Sequence, residues 1–251
     1  MATFVLVPGF WLGGWCWQRV ARQLRYGGHD VYPVTLTGLG ERVHLATPQV
    51  DLETHITDVV NLIKFEDLRD VILVGHSGGG VVITGVADRI PNRLSQLVYL
   101  DSSPVPDGFA QIDTNTPKAR AFVERVVAER GDGWRWPLPS WDELENVIGA
   151  SLAGLGDKER TLMQARAVAQ PFGIIRQPLR LKNPAREKLP RLGVLCSLSL
   201  SEVQEMIASG PPWARELSGP QWRFFELPTG HWPMFSRPDD VARLLDKLTA
   251  G

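Results

Sequence analysis

Residues Val71-Ile72-Leu73-Val74 form an unbroken apolar run between Asp70 and Gly75. A strand with one face in water alternates polar and apolar side chains. A run with no polar position therefore suits a strand covered on both faces, as in a parallel sheet. Parallel neighbours need crossover connections, usually helices, and the flanking sequence supplies them. Thr3 to Val7 is a short β-branched run stopped by Pro8-Gly9. From Trp15 to Tyr26, residues Trp17, Val20, Ala21 and Leu24 recur at helical spacing, and Gly27-Gly28 closes the segment. Asp30 to Val34 reads as the next strand, Thr35 to Gln49 as irregular chain. Asp51 then caps a helix through Phe65 whose Ile56, Val59, Val60 and Ile63 face inward. After the apolar run, Gly75 to Gly80 makes a turn, a helix continues to Arg89, and Leu97 to Leu100 is a further strand. This alternation predicts an α/β fold: a mostly parallel sheet with helices on both faces.

The rhythm stops at Asp101. Helical patterns over Lys118 to Arg130, Trp141 to Ala153 and Asp157 to Gln170 follow, broken by Gly and Pro and without a strand signal. It resumes with a strand at Leu192 to Ser197, a helix near Glu202 to Ser209, a strand at Trp222 to Leu227 and a last helix from Pro238 to Thr249. The expected organisation is a core of residues 1–103 and 191–251, with 104–190 inserted as a helical cap over the strands' carboxyl ends. Sheets of this kind bind ligands there.

Composition narrows the partners. The 27 Lys and Arg balance 28 Asp and Glu, so no basic excess invites nucleic acid. The basic series Arg176, Arg180, Lys182, Arg186, Lys188 and Arg191 reads as a solvated face. Two cysteines, Cys16 and Cys196, build no disulfide framework and point to a reducing compartment. No apolar run reaches membrane-spanning length. Met1 to Val7 has no signal-peptide layout. A soluble cytoplasmic protein with a small-molecule substrate is expected, without nucleic acid or membrane; a homodimer is left open.

Gly75-His76-Ser77-Gly78-Gly79 matches the G-x-S-x-G string, and it lies where a strand passes into a helix. Flanking glycines relieve crowding at a tight turn, which exposes the serine oxygen, and the helix behind supplies N–H donors for an oxyanion. A phosphate cradle would need a P-loop lysine or a G-x-G-x-x-G after the first strand, and neither is present. A serine nucleophile needs a base. His231, in Thr229-Gly230-His231 between the last strand and the last helix, is in the right chain order; His76 sits inside the elbow, and His29, His44 and His55 lie by turns or on a polar face. No histidine or cysteine spacing suggests a metal site, and no cofactor is expected.

With these motifs in this order, the chain resembles an α/β-hydrolase over its whole length. Gly13-Gly14-Trp15-Cys16-Trp17 further resembles the branch of plant methyl esterases and hydroxynitrile lyases and their bacterial relatives. The resemblance implies about six parallel strands, because the chain starts at what would be the family's third strand. It implies a triad of nucleophile, acid and histidine, with an oxyanion hole from the amides of Gly78 and Phe10. Two departures stand out. Pro8-Gly9 replaces the family's usual His-Gly. The stretch Cys196-Ser197-Leu198-Ser199-Leu200-Ser201-Glu202, where the acid usually follows the penultimate strand, offers serines instead. Some members carry the acid after the strand that follows the elbow, and Asp101 holds that place; Asp101 as a mere turn residue and Glu202 as the acid stay open.

The leading expectation is a serine hydrolase of the carboxylesterase type, cleaving a small apolar or aromatic ester with Ser77, His231 and Asp101. Trp11, Trp134, Trp136, Trp141 and Trp232 are the candidates for an apolar pocket. The rivals are a cyclase, decarboxylase or lyase using the same cavity, and a catalytically dead binding protein. The lyases of the resembling branch have a lysine after the histidine where this chain has Trp232, and an intact Ser–His pair argues against a dead scaffold.

Overall fold

The computed structural model describes residues 1–249. Six strands form one sheet: β1 (Thr3–Val7), β2 (Asp30–Pro33), β3 (Val71–His76), β4 (Leu94–Leu100), and two later strands, Arg191–Leu195 and Trp222–Glu226. Two short strands intervene in the chain, β5 (Arg135–Trp136) and β6 (Gln170–Pro171), so the later pair are β7 and β8. The sheet order is β2-β1-β3-β4-β7-β8, and every neighbour pair is parallel. This is the α/β-hydrolase sheet expected from the sequence. Its apolar centre has the predicted cause: Ile72 and Val74 of β3 pack into one core layer, Val71 and Leu73 into the other, and all four are buried.

Helices α1 (Gln18–Tyr26), α2 (Leu52–Phe65) and α3 (Gly79–Arg89) follow β1, β2 and β3. Asp51 caps α2 by accepting the Thr54 amide at 2.9 Å, while the Thr54 hydroxyl turns back to the Asp51 amide. The chain leaves β1 for the edge strand β2 and returns to β3 on the other side of β1. The crossovers diverge between β1 and β3, and the crevice at that switch point is where Phe10 and Ser77 sit.

Residues 104–190 differ most from expectation. Helix α4 (Pro117–Arg130) forms as read, with the Thr116 hydroxyl accepting the Ala119 amide. The long helix expected over Trp141 to Ala153 is only α5 (Trp141–Glu143) followed by a wide turn over Leu144–Ile148. It ends where Gly149 takes φ +81°, a conformation that terminates helices. Helix α6 (Asp157–Arg166) stops short of Gln170 because the chain beyond it is drawn into a strand pair. Trp136 and Gln170 face each other antiparallel in β5 and β6, where no strand is expected. Two residues are too few for an alternation to register. After α7 (Gly173–Arg176), the backbone amides of Lys182 and Asn183 both donate to the buried Asp88 carboxylate on α3. Arg191 corrects the reading of the basic series, since it is buried with its guanidinium 5.8 Å over the Trp222 ring.

The C-terminal part adds α8 (Leu200–Ser209), α9 (Pro233–Ser236) and α10 (Pro238–Lys247). Helix α10 packs its buried Val241, Leu244 and Leu245 in the layer that also holds α1. No described helix is long and apolar enough to cross a membrane.

Candidate active site

Ser77 is at the sharp turn between β3 and α3 with φ +49°. A non-glycine residue pays about 1–2 kcal/mol for that conformation. The turn is held from several sides: the Ser77 amide donates to the Leu100 carbonyl at 3.2 Å, and the Ser102 hydroxyl donates to the Ser77 carbonyl at 2.6 Å. The flanking glycines are required by contact. A Cβ at Gly75 would stand 2.7 Å from the Gly79 carbonyl oxygen, and one at Gly79 would stand 2.8 Å from that of Pro8.

His231 follows β8 and brings its Nε2 to 2.8 Å from Ser77 Oγ, while its Nδ1 lies 2.7 Å from Asp101 Oδ2. In the tautomer that serves both contacts, Nδ1–H donates to Asp101 and the Ser77 hydroxyl donates to Nε2. The histidine backbone is pinned at both ends. Its amide donates to the Ser151 carbonyl at 2.8 Å, and its carbonyl accepts from His76 Nε2 at 2.6 Å. Asp101 ends β4 with φ +43° and its amide donates to Val194 of β7. Its carboxylate also accepts the amides of Cys196 and Ser197, at 3.0 and 2.9 Å, and the Ser197 hydroxyl at 2.6 Å. Burial by itself would raise this carboxyl's pKa. The His231 hydrogen bond and charge, with the Ser197 donors, outweigh it and hold the group well below the usual carboxylate range. Ser197, the first of the serines after the penultimate strand, thus cradles Asp101 together with the Cys196 amide. Glu202 lies elsewhere, exposed in the first turn of α8, where it accepts from the Ser199 amide and hydroxyl at 2.7 Å.

Phe10 and Gly78 face each other beside Ser77. The Phe10 ring covers Gly78 so closely that a Cβ there would meet it at 2.3 Å, which brings the two chain segments bearing the candidate oxyanion amides together. A cavity of about 390 Å³ opens over Ser77. Phe10, Trp11, Trp136 and Trp232 line it, together with Ile175 and Ile148 from the inserted segment and Met206, Leu217 and Phe224 from the C-terminal part. Trp11 and Trp136 meet edge-on with centroids 4.5 Å apart, and Phe10 stands 5.7 Å from Trp136.

Two of the expected pocket tryptophans lie outside this cavity. Trp134 has the Arg135 guanidinium 5.0 Å over its ring, and Trp141, at the start of α5, has that of Arg160 at 5.7 Å. Both are half-buried cation–π partners. Sequence reasoning missed Ser197, Ser151 and His76 as supports of the histidine and the acid. Only His76 carried a signal, as a histidine inside the elbow. No described cluster of His, Cys, Asp and Glu could hold a metal ion.

His76 is fully buried, and desolvation, helped by the charge of His231, pushes its pKa down to about 3. His55, buried with Nε2 2.9 Å from the Thr37 carbonyl, is pushed down to about 4, again chiefly by desolvation. Both are neutral in the folded protein yet ordinary in the unfolded chain, so unfolding takes up protons below about pH 6.5. Stability is full above that pH and falls as the pH drops toward the folded values. Each histidine contributes a slope of about 1.4 kcal/mol per pH unit. Urea unfolding at pH 7.0, 5.5 and 4.5 is expected to show a loss of about 5 kcal/mol from the first pH to the last, with about half removed in His55→Gln. A stability flat between pH 6.5 and 4.5 contradicts the burial of neutral imidazoles.

The family model of the alpha/beta hydrolase family matches residues 4–244. The carbendazim hydrolyzing esterase of Nocardioides sp. (strain SG-4G) is 38% identical over 260 residues, covering 99% of this chain and 100% of that protein. Methylesterase 8 of Arabidopsis thaliana is 33% identical over 270 residues, covering 98% of this chain and 90% of that one. Among solved structures, an extracellular alpha/beta-hydrolase from a Paenibacillus species superposes with a TM-score of 0.80 at 26% identity, covering 98% of each chain. Together, sheet, elbow and relatives make the chain a member of the alpha/beta hydrolase family and an esterase-type hydrolase.

Proposed function

We propose that this enzyme hydrolyses uncharged esters with Ser77 as nucleophile, His231 as general base and acid, and Asp101 as the group that orients the imidazole. The observation that carries the reading is the continuous contact chain Ser77–His231–Asp101, at 2.8 and 2.7 Å, at the floor of an apolar cavity. Ser77 Oγ attacks the carbonyl carbon as His231 Nε2 takes its proton. The carbonyl oxygen becomes an oxyanion between the Phe10 and Gly78 amides. The tetrahedral adduct collapses by breaking the bond to the alkoxy oxygen, which leaves as an alcohol with the proton from His231. Water, deprotonated by His231, then attacks the acyl-serine, and the acid departs as Ser77 regains its proton.

The lining supports a neutral substrate. Among the described lining residues only Asp101 and His231 are ionisable, and they engage each other. A carboxylate or ammonium on the substrate would be desolvated there without an ionic partner, which costs several kcal/mol. The 38% identical relative is named for hydrolysing carbendazim. Carbendazim and neutral aryl esters are therefore the first substrates to try.

Fluorophosphonate labelling with peptide mapping is expected to modify Ser77 alone. Matched ester pairs of equal size are expected to show kcat/KM at least about 100-fold higher for the neutral member than for one bearing a carboxylate. Labelling at another serine, or equal turnover of the charged ester, overturns the reading.

A further inference from the structure

Trp11 immediately follows the candidate oxyanion residue Phe10 and is held in a conformation it would not choose, with φ +65°. Three hydrogen bonds hold it there, and all three come from the inserted segment. Its amide donates to Gln170 Oε1 at 3.1 Å, its indole Nε1–H donates to the Trp136 carbonyl at 3.0 Å, and its carbonyl accepts the Val168 amide at 3.1 Å. Trp136 and Gln170 are paired with each other in β5 and β6. The two-residue sheet is thus a clamp closed on a single residue of the loop after β1.

Gln170 is the unusual part of that clamp. It is 1% exposed, and its Nε2 is buried with no partner among the described residues. A buried unsatisfied amide nitrogen costs about 1–3 kcal/mol. An apolar side chain of the same length would avoid that cost but could not accept from Trp11. The carboxamide's orientation is fixed by chemistry, because only its oxygen can take the Trp11 amide hydrogen. What the oxygen secures is the path of the chain one residue past Phe10.

We infer that Gln170 is a positioning residue for the oxyanion hole: its carboxamide oxygen, by holding the Trp11 amide, fixes the Phe10 amide opposite that of Gly78. The inference rests on the proposed ester hydrolysis at Ser77 and adds the group that sets the hole's geometry. The Phe10 ring packs on Gly78 and Trp136, but among the described residues no hydrogen bond holds the Phe10 backbone itself. Release of Trp11 lets its left-handed backbone relax, and the donor moves with it. Donors act on the developing oxyanion and far less on the ground-state carbonyl, so the loss falls on kcat.

The experiment compares wild type with Gln170→Met and Gln170→Glu. Wild-type labelling at Ser77 by the fluorophosphonate establishes the parent reading separately; absence of labelling ends both. With labelling present, Gln170→Met is expected to lower kcat on a neutral aryl ester about 10- to 100-fold with KM changed less than about threefold. The affinity of a trifluoromethyl ketone, which forms a tetrahedral adduct, should fall in parallel, while that of the acid product stays unchanged. Glutamate keeps an acceptor oxygen, but a carboxylate buried there without a cation is driven out toward water and releases Trp11, whereas its protonated form is neutral like the amide it replaces. The activity of Gln170→Glu relative to wild type should therefore rise as the pH is lowered from 8 to 6. That pH-dependent recovery decides the matter even if Gln170→Met does not fold. A folded Gln170→Met with kcat within about threefold of wild type, or a Gln170→Glu ratio independent of pH, overturns the assignment.

Discussion

Ser77→Ala is expected to lower kcat on a short-chain aryl ester by at least about 10³-fold, and up to about 10⁶-fold. The size follows from what the substitution leaves behind. The supports of the elbow use the Ser77 backbone: its amide donates to Leu100 and its carbonyl accepts from Ser102. Alanine keeps both, and it keeps the Phe10–Gly78 gap, so residual activity would come from binding and oxyanion stabilisation without an acyl-enzyme. Alanine also keeps the unfavourable φ of +49°, whereas glycine relieves it. Ser77→Gly should therefore be more stable than Ser77→Ala by about 1 kcal/mol while being equally inactive. Steady-state rates and thermal melts of the two variants check this. A folded Ser77→Ala enzyme with wild-type turnover removes the serine from the chemistry.

What could be read in the sequence follows the range of the interactions concerned. The apolar run at Val71 to Val74, the capping box at Asp51 and the elbow glycines are local signals, and the structure contains the strand, the helix and the turn they specify. That the strands run parallel follows from their alternation with helices, which is nearly local as well. The insert was hard for the opposite reason. A helical period ran through Trp141 to Ala153, yet Gly149 was the real boundary, and β5 and β6 exist because Trp136 and Gln170 meet across more than thirty residues. Trp134 and Trp136 have nearly the same local context. One faces an arginine and the other the cavity, a difference decided by the strand that Trp136 joins. The supports of His231 are likewise long-range: His76 and Ser151 reach it from 155 and 80 residues away. Ser199-Leu200-Ser201-Glu202 has the spacing of a capping box, which by itself explains an acid at Glu202.

That box also separates the two candidate acids by experiment. Asp101→Asn is expected to lower kcat about 10²- to 10⁴-fold, and Glu202→Gln less than about tenfold. In the aspartate, Oδ1 accepts the Cys196 and Ser197 amides, and Oδ2 accepts the Ser197 hydroxyl and the Nδ1–H of His231. Asparagine can keep its oxygen on the two amides, which puts its NH₂ group where Oδ2 was. The Ser197 hydroxyl can reverse and accept. His231 can satisfy that donor only by leaving Nδ1 unprotonated, and its proton then sits on Nε2, facing Ser77. An imidazole in that tautomer cannot take the serine's proton, and the missing carboxylate no longer stabilises the imidazolium. The fold has little reason to change, since the side chain keeps its shape and its two amide partners. Glutamine at 202 can still accept from Ser199, so its cost is confined to the first turn of α8. Kinetics at neutral pH with a thermal melt of each variant decide the ranking. A greater loss at Glu202 would transfer the role there, and small losses at both would leave Ser77 and His231 working as a dyad, with Asp101 no more than the cap of a strand end.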